Sequence, residues 1–71
     1  MPRYLVTTRR DKRISAPSAL QAALAESGIS VVTSNDPQMI TIEATEEAAN
    51  RLHEKLKDTH FVEREVRRSL H

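Results

Sequence analysis

The chain has 71 residues, room for one small domain, and chains of that size bury only about 60% of the surface they expose when unfolded. It contains no cysteine, which excludes a disulfide framework and any thiolate-ligated zinc, copper or iron–sulfur site. The net charge of +1 is unevenly spread: residues 1–13 hold five Lys/Arg against Asp11, residues 14–50 hold five acids and no Lys/Arg, and residues 51–71 hold six bases against four acids.

A nucleic-acid binder shows a stronger one-sided basic excess, so this distribution reads as steering between patches. Aromatic residues make up 3% of the chain, which predicts a thin core. No apolar run reaches the roughly 18 residues of a membrane span, and the N-terminus lacks the apolar stretch of a signal peptide. No membrane association and a cytoplasmic location are therefore expected.

"RYLVTTR" (3–9) is rich in β-branched and aromatic residues and predicts a strand. A charged loop, "RRDKRIS", follows. "APSALQAALAESG" then predicts a helix capped by Ser15, with Pro17 in its first turn and Leu20, Ala23 and Leu24 as its apolar stripe. Gly28, the single glycine of the chain, stands where a left-handed residue ends a helix, and Ile29 can fold back on it.

"ISVVTS" (29–34) and "QMITIEA" (38–44) predict two strands joined by a turn at "NDP". In the second of them Ile40, Ile42 and Ala44 share one face while Met39, Thr41 and Glu43 share the other. Thr45 precedes a helix, "EEAANRLHEKLKD", with acids in its first turn and lysines in its last, as the helix dipole favours. Ala49, Leu52 and Leu56 line its buried side. "HFVEREV" predicts a fourth strand. The order β-α-β-β-α-β with two right-handed crossovers predicts an α+β domain over 1–71, residues 67–71 forming a C-terminal tail. Its four-stranded antiparallel sheet carries both helices on one face and leaves the other open.

Residues for catalysis are missing from the pattern. His53, His60 and His71 share no metal-ligand spacing, and Glu46 and Glu47 are accounted for as helix-start acids. There is no Gly-rich phosphate loop, nucleophile elbow or Cys/His pairing. A non-enzyme without metal or cofactor is expected. The run "RRDKR" (9–13) reads as a solvated loop before it reads as a phosphate grip. RNA-recognition modules share the element order but stack bases on sheet aromatics. Here "QMITIEA" has neither the aromatics nor the glycine, and Glu43 would repel phosphate, so nucleic-acid binding is not expected.

The last strand offers more. Phe61, Glu63 and Glu65 point to one face, and Val62, Arg64 and Val66 to the other. Valines facing the helices put both glutamates on the open surface. That is either plain polar-out alternation or a pair of acceptors for backbone N–H groups at a partner's helix N-termini.

"YLVTTR", "L..ALAESGISVV", "EEAANRLHEKLKD" and "HFVEREV", in this order and at these lengths, resemble the subtilisin propeptide family, whose stand-alone members include the fungal proteinase B inhibitor. The resemblance spans essentially the whole chain. It implies an α+β ferredoxin-like fold that inhibits, or chaperones the folding of, a subtilisin-like serine protease. The open sheet face is then expected to dock on two surface helices of the enzyme, with Glu63 and Glu65 capping them. Arg68, Ser69, Leu70 and His71 are expected to lie in the substrate cleft like a cleaved product. No protease follows residue 71, so the expected form is a free-standing inhibitor or a chaperone acting in trans, monomeric when free. Arg68 stands where many members carry a small or apolar residue, which points to a different target pocket. The alternatives are a small ferredoxin-like regulatory or RNA-binding module, or a domain that pairs with itself through sheet edges.

Overall fold

Alternation along the strands decides this structure. The computed structural model describes residues 1–65, and in it Tyr4, Val6 and Thr8 of one strand and Ile40, Ile42 and Ala44 of another are buried while their neighbours are not. The elements are β1 (Arg3–Thr8), a 3-10 turn (Arg10–Lys12), α1 (Ala19–Leu24), β2 (Ile29–Asp36), β3 (Met39–Ala44), α2 (Glu46–Leu56) and β4 (His60–Arg64). The sheet order is β2-β3-β1-β4, and each neighbouring pair is antiparallel. This is the α+β, ferredoxin-like arrangement expected from the element order.

The core lies between the sheet and the helices. Tyr4, Val6, Ile40, Ile42 and Ala44 meet Ala19 and Ala23 of α1 and Ala48, Ala49 and Leu52 of α2. Leu20, Ile29, Val31, Leu56 and Val62 close its margins. Ile40, Ile42 and Leu52 are the largest apolar side chains fully buried, and burying each contributes about 1.5–3 kcal/mol. Thr45 caps α2, its hydroxyl accepting from the Ala48 N–H at 3.2 Å, and Glu46 and Glu47 sit in the first turn where the dipole favours them.

Helix α1 departs from expectation. Its N-cap is Ser18, whose Oγ accepts from the Gln21 N–H at 3.2 Å, and not Ser15. Of the expected stripe, Ala23 is buried and Leu20 packs against the core, but Leu24 is corrected: it is 67% exposed, and Ala19 and Ala22 are buried instead. Tertiary hydrogen bonds fix that start. The Ala19 N–H donates to the buried Thr8 Oγ1 at 2.9 Å, and the Pro17 carbonyl lies 2.9 Å from His60 Nε2. Because a carbonyl only accepts, His60 donates through Nε2, and its Nδ1 lies 2.6 Å from the Thr59 hydroxyl oxygen. His60 is 1% exposed and bolts β4 to the approach of α1.

Gly28 holds the expected left-handed conformation, φ 78°. Strand β2 runs to Asp36 rather than Ser34, so the turn to β3 is Pro37–Gln38, tightened by the Gln38 N–H donating to Asp36 Oδ1 at 2.9 Å. Asn35 and Asp36, expected in the turn, belong to the strand. Strand β4 ends at Arg64, and Val66 and the tail 67–71 lie outside the described residues.

Candidate functional site

The helices cover one face of the sheet and leave the other bare. Strand register places the open-face residues row by row. Arg3 lies opposite Glu43. Leu5 sits between Thr41 of β3 and Glu63 of β4, and Thr7 sits between Met39 and Phe61. One end is therefore apolar or neutral, with Met39 49% and Phe61 51% exposed, while in the middle row Leu5 is half-buried between Thr41 and the exposed Glu63. Two large, half-exposed apolar side chains, Met39 and Phe61, thus flank Thr7 on the bare face.

Charge runs along the strands. At the end where β1 begins, Glu43 and Glu65 lie on either side of Arg3, with Glu63 one row nearer the middle. Arg3 pairs with Glu43 at 3.7 Å, and the Glu65 N–H donates to the Arg3 carbonyl at 2.9 Å, carrying the β1–β4 ladder one residue past the strand. Met1, Arg3, Glu43 and Glu65 line a shallow depression there. At the opposite end the Arg9 guanidinium lies over the Phe61 ring, 5.7 Å from its centroid, and its Nε is 3.4 Å from Asp11.

Glu63 and Glu65 thus stand on the face the sequence assigned them, two residues apart and so about 6.6 Å from each other along an edge strand. Neither is in an ion pair with another of the described residues. Arg64, pointing the other way, pairs with Glu46 of α2 at 3.5 Å. A carboxylate facing solvent has lone pairs to offer a partner's N–H groups, and a charged acceptor makes the stronger hydrogen bonds. Arg68, Ser69, Leu70 and His71, the other expected contact residues, lie outside the described residues.

Leu5, Thr7, Met39, Arg9 and Glu43 complete the face, and none of them was singled out as a contact residue from sequence. The signal was present, because period-two alternation assigns each one to the surface opposite the core; an apolar residue there is easily taken for core. The single tyrosine, Tyr4, is 7% exposed and turned toward the helices, so the bare face presents one aromatic ring, that of Phe61. Among the described residues, no group of three or more His, Asp or Glu side chains could hold a metal ion, and no helix is long and apolar enough to cross a membrane. Compared with known proteins, the chain matches no family model, no curated protein and no solved structure at a significant level.

Proposed function

We propose that this chain is a protein inhibitor of a subtilisin-like serine protease, docking through its open sheet face and placing its C-terminal tail, product-like, in the substrate cleft. The reading starts from the resemblance of the sequence to subtilisin propeptides. One structural observation carries it: a bare sheet face with an apolar patch, ending in two solvent-facing carboxylates on the edge strand from which the tail continues. Leu5, Met39 and Phe61 supply apolar area to be covered. Glu63 and Glu65 supply charged acceptors for the first N–H groups of two enzyme helices, where the dipole favours an anion.

In the cleft the tail backbone pairs as an added strand, and the side chains of Arg68, Ser69, Leu70 and His71 meet the specificity pockets. Inhibition by this route forms no covalent bond. It persists because the face holds the tail in place after cleavage chemistry has nothing left to act on. The same contacts would let the domain template folding of the enzyme in trans.

RNA binding by the same face is the weaker reading. Its one exposed ring lies on the edge strand β4, Tyr4 points away, and three acids crowd the far end.

The test is a panel of proteases with the purified chain. Subtilisin-type enzymes should be slowed and trypsin- or chymotrypsin-fold enzymes should not, at up to tens of micromolar inhibitor, on the order of a binding energy of 6–7 kcal/mol. Unchanged rates for every subtilisin-type enzyme would overturn the proposal.

A further inference from the structure

The most concentrated charge in the described structure is not at the acids but in the loop between β1 and α1. Residues 9–13 hold Arg9, Arg10, Lys12 and Arg13 against Asp11. Asp11 is engaged by Arg9, while Arg10, Lys12 and Arg13 are in no ion pair with another described residue. The loop is built rather than loose. Arg9 N–H donates to the Thr59 carbonyl at 2.8 Å, Lys12 N–H to the Arg9 carbonyl at 2.9 Å, and Ala16 N–H to the Lys12 carbonyl at 2.9 Å. Beside this cationic turn Ile14 is fully exposed, at 103%. Against a partner surface Ile14 would add apolar area to the charge of its neighbours.

We infer that this loop is a second contact of the docking face, meeting an acidic patch on the protease about 13 Å along the strands from the contact of Glu63 and about 20 Å from that of Glu65. The inference rests on the docking reading and adds the chemistry of the partner's surface. Its geometry follows from the sheet. Arg9 belongs to both features, since its guanidinium covers Phe61 of the open face and its backbone opens the loop. Strand β4 runs from His60, paired with Thr8, to Arg64, paired with Tyr4. The chain therefore heads for the cleft from the acidic end, and the basic loop stands at the other. About six residues of strand, at about 3.3 Å each, separate the ends, twice the Debye length of about 10 Å at 0.1 M salt. An enzyme surface that fits this face is polarised oppositely: helix N-termini by the cleft, carboxylates at the remote end. Charges at the rim of an interface mainly set the rate of encounter and its salt dependence.

The experiment uses the full chain and whichever subtilisin-type enzyme it inhibits most tightly. Association and dissociation rates are measured for the parent, for Arg10→Glu/Lys12→Glu/Arg13→Glu, and for the corresponding triple Gln variant, with thermal melting as the check on folding. Charge reversal should slow association by about tenfold or more near 20 mM salt, the neutral variant by less, and the difference should shrink to about twofold near 0.5 M. Dissociation should change little. Equal association rates for folded variants at low salt would overturn the loop contact and leave face docking standing. A parent chain that inhibits no subtilisin-type enzyme would overturn both. Loop-dependent binding of single-stranded RNA, with protease association unaffected by the substitutions, would also overturn the inference.

Discussion

Phe61→Ala separates a docking surface from a solvated one. The ring is 51% exposed, and a phenylalanine has about 150–250 Å² to bury, so about 100 Å² of it faces solvent in the free chain. At about 25 cal/mol per Å², covering that area contributes up to about 2.5 kcal/mol to a complex, equivalent to about 60-fold in inhibition constant. The free fold loses a comparable amount: the half of the ring already covered, about 100 Å², contributes up to about 2.5 kcal/mol by the same coefficient. The contact with Arg9 adds about 0.5–1 kcal/mol at an exposed site, so the melting temperature falls by about 10–28 °C for a domain this size, and inhibition is compared at a temperature where the variant is folded. The assay is the inhibition constant against a subtilisin-type enzyme, beside a melting curve for each protein. Leu24→Ala is the control: that leucine is more exposed than Phe61 but lies on the helix side. Ten- to 60-fold weaker inhibition by Phe61→Ala, with Leu24→Ala at the parent's value, is the expected result. A folded Phe61→Ala variant inhibiting within about twofold of the parent would refute the assignment of the face.

Glu63→Gln with Glu65→Gln should weaken inhibition while leaving the melting temperature in place, since each acid meeting a helix N-terminus contributes about 0.3–2 kcal/mol; equal inhibition constants would reduce both to solvated strand residues. Leu52→Ala, at a side chain 1% exposed, should cost about 2–5 kcal/mol by denaturant titration, while Leu24→Ala should stay within about 0.5 kcal/mol of the parent. Deleting Ser69–His71 should remove most inhibition without lowering the melting temperature, because the packed core lies within residues 4–62; undiminished inhibition would leave the sheet face as the whole of the binding surface.

Much of this architecture was legible because alternation and capping are local. The faces of β1, β3 and β4, the cap at Thr45 and the left-handed Gly28 all follow from residue type and spacing. Helix α1 was not, for a physical reason. Ser15 and Ser18 are equally good caps by composition, and the choice between them is made by Thr8 and His60, which reach it from strands far away in sequence. By residue type a leucine stripe is the natural buried side, yet here the small alanines pack on the sheet and Leu24 is turned out. His60 shares the parity of Val62, so its burial could have been read; what the sequence conceals is the pair of polar partners that makes a buried imidazole tolerable. Of the open face, the position of both glutamates was visible in advance. The apolar patch around Thr7 was not, because it is assembled by register from three strands.

The two edges of the sheet are unequal, which bears on how the protein avoids its own kind. Strand β2, the longer edge, pairs with β3 through register shifts between Val31 and Thr33 and again between Thr33 and Asp36. Such irregularity twists an edge away from the flat geometry another strand needs for stacking. Regular pairing would leave the eight residues of β2 as a flat edge of the kind that can pair with another chain. Strand β4, the other edge, is short and regular and carries charge on both faces at its end, Glu63 and Glu65 on one and Arg64 on the other. The two edges are thus defended by different means, one by irregular pairing and the other by shortness and charge, and each is a poor template for a strand of another copy.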